Sequence, residues 1–397
     1  MKRLGLLPRI ILAIVVGVLL GTFLPKWGIK ILATFNGLFG NFLGFVIPLI
    51  IIGFIAPGIG QMGRGAGKLL GLTATVAYGS TILAGLIAYF TGVTLFPKIL
   101  NVGGLSGELT NPEEVLTSAF FIVDMPPIMG VMTALLIAFT LGLGIAAIKG
   151  NALQEVMNEF REIIEKVISV IIIPLLPFHI LGIFANMTYG GQVAMIMSTF
   201  AKVFVIIIIL HTIMLLIQYT TAGAVTRRNP LRMIQIALPA YFTALGTQSS
   251  ASTIPVTLRS AKNIGIRDKI TDFVVPLCAT IHLSGSTITL LSCSIAVMFL
   301  NGQEVLFSSI FPFILMLGVT MIAAPGVPGG AVMAALGLLE TMLGFDPTML
   351  SLMIALYLAQ DSFGTACNVT GDAAIAAIVE RMDKSDDSSE VREVKVG

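Results

Sequence analysis

The chain has 397 residues, of which 56% are hydrophobic and 11% are charged, and its formal net charge is +2. Soluble globular domains carry about 25% charged residues, so this composition excludes a soluble globular fold and predicts an all-α protein that crosses the bilayer several times. The near-neutral charge does not indicate nucleic-acid binding, and the three cysteines, Cys278, Cys293 and Cys367, lack the CxxC spacing of a metal or disulfide framework.

The first 220 residues contain six apolar runs that we interpret as membrane spans. Lysine and arginine are concentrated before the first run and after the second, fourth and sixth, whereas the third connection is acidic. Since basic residues accumulate in cytoplasmic loops, this alternation predicts that the N-terminus lies in the cytoplasm. The predicted spans are residues 10–24, 31–55, 69–96, 128–148, 167–184 and 193–219.

After Pro230 the apolar segments are interrupted by polar or Gly/Pro-rich stretches. Residues 233–260 have basic residues on both sides, and residues 305–342 lie between uncharged and acidic stretches, so we predict two re-entrant helical hairpins that enter from opposite faces. A span follows each hairpin, at residues 273–300 and 349–379. The predicted fold therefore has about eight transmembrane helices and two hairpins in an inverted repeat, which is typical of secondary transporters.

Four interruptions in this half are predicted to meet near the bilayer midplane, because irregular backbone at that depth must line a cavity or be buried in protein. The interruptions are GTQSSAST, TIHLSGS, APGVPGG and QDSFGTACNVTGD, the last of these within the eighth span.

The eighth span carries polar residues at helical spacing: Asp361, Gly364, Thr365, Asn368 and Asp372 would share one face. An ionisable residue at the bilayer centre costs at least about 2.5–3.5 kcal/mol, so two carboxylates on one face predict a cavity that receives cations. The alternative is that these side chains only hydrogen-bond neighbouring helices, a role for which serine and threonine are more usual.

The other interruptions also offer binding groups. Free helix ends at the tip of the first hairpin, around Ser249 and Ser250, would suit a carboxylate, unless the serines only satisfy the local backbone. His282, at the break of the seventh span, is equally compatible with a structural and a functional role. Packing or interfacial roles are expected for His179 and His211, which lie on apolar helices.

Three of these motifs, TQSSAST, GVPGG and NVTGD, resemble those of the dicarboxylate/amino acid:cation symporters, the family of the glutamate transporters and their archaeal homologues. The resemblance extends over essentially the whole chain. It implies a homotrimer in the lipid bilayer, in which a transport domain carries substrate across by an elevator motion. The implied divisions are scaffold spans (1–68 and 128–192), span 3 of the transport domain with an outer loop (69–127), the rest of the transport domain (193–384) and a cytoplasmic tail (385–397).

Carried over residue by residue, the resemblance implies a site formed by the polar face and both hairpins. Asp361 would bind the substrate ammonium group and Asn368 its α-carboxylate, while Asp372 would be a sodium ligand. The gate in the second hairpin would contribute Val327 and Gly329. The remaining implied substrate contacts are Ser249, Ser250, Ala251, Ser286, Gly364 and Thr365, and a residual cation site would comprise Asp372, Asn368, Cys278 and His282.

Two departures from the family pattern modify the expected substrate and coupling ion. Members that transport acidic substrates carry an arginine at the position of Gly364 or nearby, so we expect this chain to prefer neutral, zwitterionic amino acids. The family motif NMDGT reads HLSGS here, from His282 to Ser286. Because an imidazole carries protons more readily than it binds sodium, we expect sodium coupling to be weakened, or replaced by proton coupling through His282 or by uncoupled transport.

The sequence leaves other functions open. A sodium-coupled symporter of acidic amino acids or dicarboxylates and an anion-conducting channel of the same fold are the main alternatives. An enzyme acting within the membrane is not expected, because no histidine, carboxylate and nucleophile occur at a spacing typical of catalysis. We predict a multi-pass protein of the inner cell membrane, with both termini cytoplasmic and no cofactor besides Na⁺ or H⁺ as a coupling ion.

Overall fold

A computed structural model of the chain describes residues 6–63, 68–100, 117–191, 193–324 and 329–383. All regular secondary structure in these ranges is helical, which confirms the predicted all-α membrane architecture. The elements are α1 (Leu6–Phe23), α2 (Lys26–Gly63), α3 (Lys68–Ile99), α4 (Val131–Ala147), α5 (Ala152–Val167), a π-helical turn (Ile168–Ile172), α6 (Ile173–Tyr189), α7 (Val193–Thr226), α8 (Pro230–Thr247), α9 (Ser250–Ile264), α10 (Asp268–Ile281), α11 (Ser284–Leu300), α12 (Phe307–Ala323), α13 (Gly330–Leu343) and α14 (Pro347–Met382).

Six helical runs in the described ranges are long and apolar enough to cross a membrane. They coincide with the second, third, fifth, sixth, seventh and eighth predicted spans. Shorter apolar helices coincide with the first and fourth spans and with the two arms of the second hairpin. The long runs are Lys26–Gly60, Leu69–Ile99, Ala152–Tyr189, Met197–Thr226, Asp268–Leu300 and Pro347–Met382.

The first predicted hairpin consists of α8 and α9, which pack against each other. Asn229 begins α8, because its side chain accepts hydrogen bonds from the backbone amides of Leu231 and Arg232. The turn consists of Gln248, in the left-handed conformation with a φ of 53°, and Ser249, whose hydroxyl caps α9. Local capping chemistry thus produces this helix–turn–helix, and its re-entry into the membrane stays a prediction.

The seventh predicted span is broken where the sequence indicated. His282 has an extended backbone and lies with Leu283 between α10 and α11. The second predicted hairpin consists of α12 and α13, which contact each other. Its tip, with Gly326, Val327 and Pro328, lies outside the described residues.

The predicted interruption of the eighth span is wrong, because α14 continues from Pro347 to Met382 without a break. An unbroken helix satisfies its own backbone groups, and neighbouring helices supply partners for the polar side chains. The segment from Asp361 to Asp372 is almost entirely buried and contains no proline. The motif is therefore a continuous polar face.

The helices form two packing groups, and α14 lies at the centre of one of them. α3 and α7 to α11 pack directly on α14, whereas α1, α2, α4, α5 and α6 contact mainly one another. The groups meet where α2 contacts α12 and α13 and where α1 contacts α14. The polar face of α14 is thus surrounded by the interrupted helices of the C-terminal half.

Candidate functional site

Asp361 contacts the second hairpin. Its Oδ2 accepts a hydrogen bond of 2.7 Å from the backbone N–H of Gly329, which precedes α13 and has a φ of 74°. Glycine adopts this left-handed conformation without steric cost. The structure therefore brings together the carboxylate expected to bind ammonium and one expected gate residue, while the other, Val327, lies outside the described residues.

Asn368 holds the first turn of α11. Its Oδ1 accepts hydrogen bonds from the backbone amides of Gly285 at 2.7 Å and Ser286 at 3.2 Å, and its Nδ2 donates to the Ser286 hydroxyl at 2.9 Å. Amides at a helix N-terminus lack intrahelical acceptors, so Asn368 satisfies two of them. Two of the expected substrate contacts, Asn368 and Ser286, are therefore in direct contact.

Two glycines allow α11 and α14 to cross closely. A Cβ atom at Gly285 would lie 2.6 Å from the Cβ of Cys367, and one at Gly364 would lie 3.3 Å from Thr289 Oγ1. Gly285 is therefore required by the crossing, and Gly364 faces the first turn of α11. Thr365, the next residue of the polar face, is also buried.

Asp372 is paired with His282. The imidazole Nδ1 donates to Asp372 Oδ1 at 2.9 Å, and the two side chains are at most 1% exposed. The backbone N–H of His282 donates to the Cys278 carbonyl at 2.9 Å. Of the residues expected to form a cation site, these three are therefore close neighbours, whereas Asn368 lies one turn away on α14 and is bonded to α11.

The opposite side of the His282 ring faces α3 and α7. Its Nε2 lies 3.0 Å from Ser80 Oγ and 3.1 Å from Gln218 Nε2. Gln218 Nε2 also donates to the hydroxyls of Ser80 at 3.0 Å and Ser284 at 3.1 Å. A neutral imidazole with its proton on Nδ1 has Nε2 as its hydrogen-bond acceptor.

This network differs from a metal centre. Across the described ranges, no group of three or more His, Cys, Asp or Glu side chains is arranged to hold a metal ion. Polar side chains from α3, α7, α11 and α14 instead satisfy one another by hydrogen bonds, as buried polar groups require.

Side chains at the tip of the first hairpin bond the local backbone. Ser249 Oγ accepts a hydrogen bond from the Ser252 amide at 3.3 Å, and Thr253 Oγ1 donates to the Ser249 carbonyl at 2.9 Å. Ser250 is buried and Ala251 is exposed. Ser249 therefore satisfies a backbone amide of the first turn of α9. Beside the polar face, α8 packs against α14 through small apolar side chains.

Ser80, Gln218 and His211 contact the site, although no sequence motif indicated them. Ser80 and Gln218 contact the His282 ring, and His211 Nε2 lies 3.0 Å from the Gly285 carbonyl oxygen. Their sequence signal is weak, because scattered polar residues in an apolar span form no motif. The packing role expected for His211 includes a buried hydrogen bond to α11.

Known transporters are similar to this chain over much of its length. Excitatory amino acid transporter 1 of Bos taurus is 31% identical over 319 residues, which cover 77% of this chain and 57% of the relative. Excitatory amino acid transporter 2 of Mus musculus is 31% identical over 263 residues, which cover 63% and 45% respectively. The chain thus spans about half the length of these two relatives. Serine/threonine transporter SstT of Streptococcus thermophilus (strain CNRZ 1066) is 23% identical over 391 residues, or 96% of each chain.

The model of the sodium:dicarboxylate symporter family matches residues 6–382. This match includes α1 to α14 and every residue of the polar network described above. The match agrees with the family resemblance that the motifs of the two hairpins and the last helix indicated. The chain therefore belongs to the sodium:dicarboxylate symporter family.

Proposed function

We propose that this protein is a secondary transporter of neutral, zwitterionic amino acids. The observation that carries the proposal is the buried carboxylate of Asp361, which accepts a hydrogen bond from the backbone of the second hairpin at Gly329. A buried carboxylate is stabilised by a cationic partner. The ammonium group of an amino acid is such a partner, and it enters and leaves with the substrate.

In this proposal the substrate lies between α14, the first turn of α11 and the two hairpin tips. Its α-carboxylate binds at the Asn368 side chain beside the N-terminus of α11, because a helix N-terminus favours an anion. Ser286, Thr365 and the backbone around residues 249–251 complete the contacts. The second hairpin closes over the bound substrate.

The charge of the buried residues supports a neutral substrate. The buried polar residues of the described ranges include neither lysine nor arginine. A side-chain carboxylate on the substrate would therefore add a negative charge near Asp361 without a buried basic partner, which is unfavourable. The relative named a serine/threonine transporter agrees with this proposal.

We further propose that sodium coupling is weakened. The His282 imidazole donates to Asp372, the carboxylate expected to bind sodium. Histidine exchanges protons near neutral pH, so proton coupling through His282 is the proposed replacement. Transport without a coupling ion is the alternative, in which the hydrogen bond between His282 and Asp372 stays intact through the transport cycle.

The two packing groups support a division into a scaffold (1–68 and 128–192) and a transport domain (69–127 and 193–384) that moves as an elevator within a homotrimer. Exposed apolar side chains on α5, the π-helical turn and α6, among them Val156, Ile163, Val170 and Phe178, recur every seven or eight residues and share one face. That face could pack against another copy. We assign both termini to the cytoplasm from the distribution of basic residues.

Uptake into proteoliposomes tests the proposed function. We expect saturable uptake of radiolabelled serine at a rate at least about tenfold higher than that of aspartate, a difference of about 1.4 kcal/mol. Replacing sodium with choline should change serine uptake little, whereas an inward proton gradient should accelerate it if His282 carries the coupling proton.

The same assay separates the alternative functions. The family description favours sodium-coupled dicarboxylate or acidic amino acid symport, which predicts aspartate uptake that requires sodium. An anion channel predicts chloride flux without exchange of labelled for unlabelled amino acid. Either result, in the absence of serine uptake, would contradict the proposal.

A further inference from the structure

We propose that Gln218 is a selectivity residue that keeps small metal cations out of the space beside His282. Its side-chain amide nitrogen occupies the centre of a group of acceptors that could otherwise surround a cation. The inference deepens the proposed loss of sodium coupling and rests on the proposed function for its meaning in transport.

The acceptors come from three parts of the chain. Gln218 Nε2 lies 3.0 Å from Ser80 Oγ on α3, 3.1 Å from His282 Nε2 at the helix break and 3.1 Å from Ser284 Oγ at the start of α11. An amide NH₂ group has two hydrogens and no lone pair to offer a metal. Its two hydrogens can satisfy two of these three acceptors at a time, and the amide nitrogen fills the position among them that a cation would occupy.

The amide oxygen of Gln218 is not stabilised as the amide nitrogen is. Its Oε1 is buried and has no hydrogen-bond partner in the described ranges, which is unfavourable for a carbonyl oxygen. The contacts of Nε2 must outweigh this cost in setting the orientation of the amide. The side chain is thus held by the acceptor cluster beside His282.

Gly371 provides the space that this arrangement needs. A Cβ atom at position 371 would lie 2.6 Å from Gln218 Oε1 and 2.8 Å from His282 Cε1. The neighbouring residue, Asp372, already accepts the proton of His282 Nδ1. Two N–H donors, from His282 and Gln218, therefore occupy the oxygen atoms that sodium would prefer as ligands.

Removal of the Gln218 side-chain amide should create a sodium site. We would measure the melting temperature of the purified full-length protein in detergent, with sodium chloride or choline chloride at equal ionic strength. The unsubstituted protein should show no sodium-specific shift. Gln218→Ala should show a saturable sodium-specific increase of about 2 °C or more, because a ligand that binds only the folded state raises its stability.

A matched control is available in α5, where Gln154 is also buried and hydrogen-bonded. Gln154→Ala should melt at a lower temperature without any sodium-specific shift. If Gln218→Ala does not fold, Gln218→Ser adds a hydroxyl oxygen in its place and should show the same sodium response.

Sodium-specific stabilisation of the unsubstituted protein would overturn the proposal, as would folded Gln218 variants that do not respond to sodium. Serine uptake by the unsubstituted protein is measured separately in proteoliposomes. If the unsubstituted protein does not transport serine, the proposed function fails, but the melting measurement still tests the role of Gln218.

Discussion

Asp361 and Asp372 lie three turns apart on α14 and are both buried, but they are satisfied by different kinds of partner. Asp361 accepts a hydrogen bond from the backbone N–H of Gly329, which lies just before α13. Asp372 bonds to the side chain of His282, which also contacts Ser80 and Gln218 in other helices. The first partner is one backbone group at the start of α13, whereas the second is part of the packing between helices.

In the proposed function, this difference separates a substrate-binding carboxylate from a structural one. A carboxylate bonded to one backbone N–H can exchange that partner for a substrate ammonium group. A carboxylate in a network of side chains can accept a cation only if several hydrogen bonds break together, since such networks act cooperatively. Substitutions at Asp361, at the Asp372–His282 pair and at Ser249 test this comparison, in decreasing order of expected effect.

Replacement of Asp361 with alanine should weaken binding of radiolabelled serine at least about 100-fold, because removing one partner of a buried charge pair costs about 3–5 kcal/mol. Scintillation proximity binding in detergent measures the affinity. Asp361→Asn is the matched control, because it removes the charge and keeps an acceptor for the Gly329 amide. Unchanged serine affinity in the alanine variant would show that Asp361 is not the ammonium-binding residue.

Substitutions of Asp372 and His282 should act mainly on stability. Asp372→Asn and His282→Asn should each lower the free energy of unfolding by about 1–3 kcal/mol, because a buried partner loses its hydrogen bond. The double variant should lose less than the sum, with a coupling energy of about 0.5–3 kcal/mol. Unfolding in detergent measures all four proteins. Additive losses, or a loss of serine binding as large as in Asp361→Ala, would contradict the comparison.

The smallest expected effect concerns the first hairpin. Ser249→Ala removes the hydroxyl that caps α9 and should lower the free energy of unfolding by about 1 kcal/mol, with little change in serine affinity, because the proposed substrate contact there is made by backbone. Ser252→Ala alters an exposed side chain and should stay within about 0.5 kcal/mol. A large loss of serine binding in Ser249→Ala would assign the hydroxyl to the substrate.

Helix ends in this protein follow from local sequence. Asn229 and Pro230 begin α8, and Ser249 begins α9, through capping chemistry that is visible in a few residues. The interruption predicted in α14 failed for the opposite reason. Polarity alone does not end a helix. Asp361 has its partner at the start of α13 and Asn368 has its partners in α11, and the sequence of α14 does not show either contact.

By itself, the sequence determined that the chain is an all-helical membrane protein of the symporter family, with a polar face on its last helix, because hydropathy, helical period and motifs are local properties. Tertiary structure alone decided that Asp372 pairs with His282 and that Ser80 and Gln218 complete the network. These contacts join residues 64 to 202 positions apart. A single polar residue on an apolar helix can face lipid or protein, and only helix packing selects the direction and the partner.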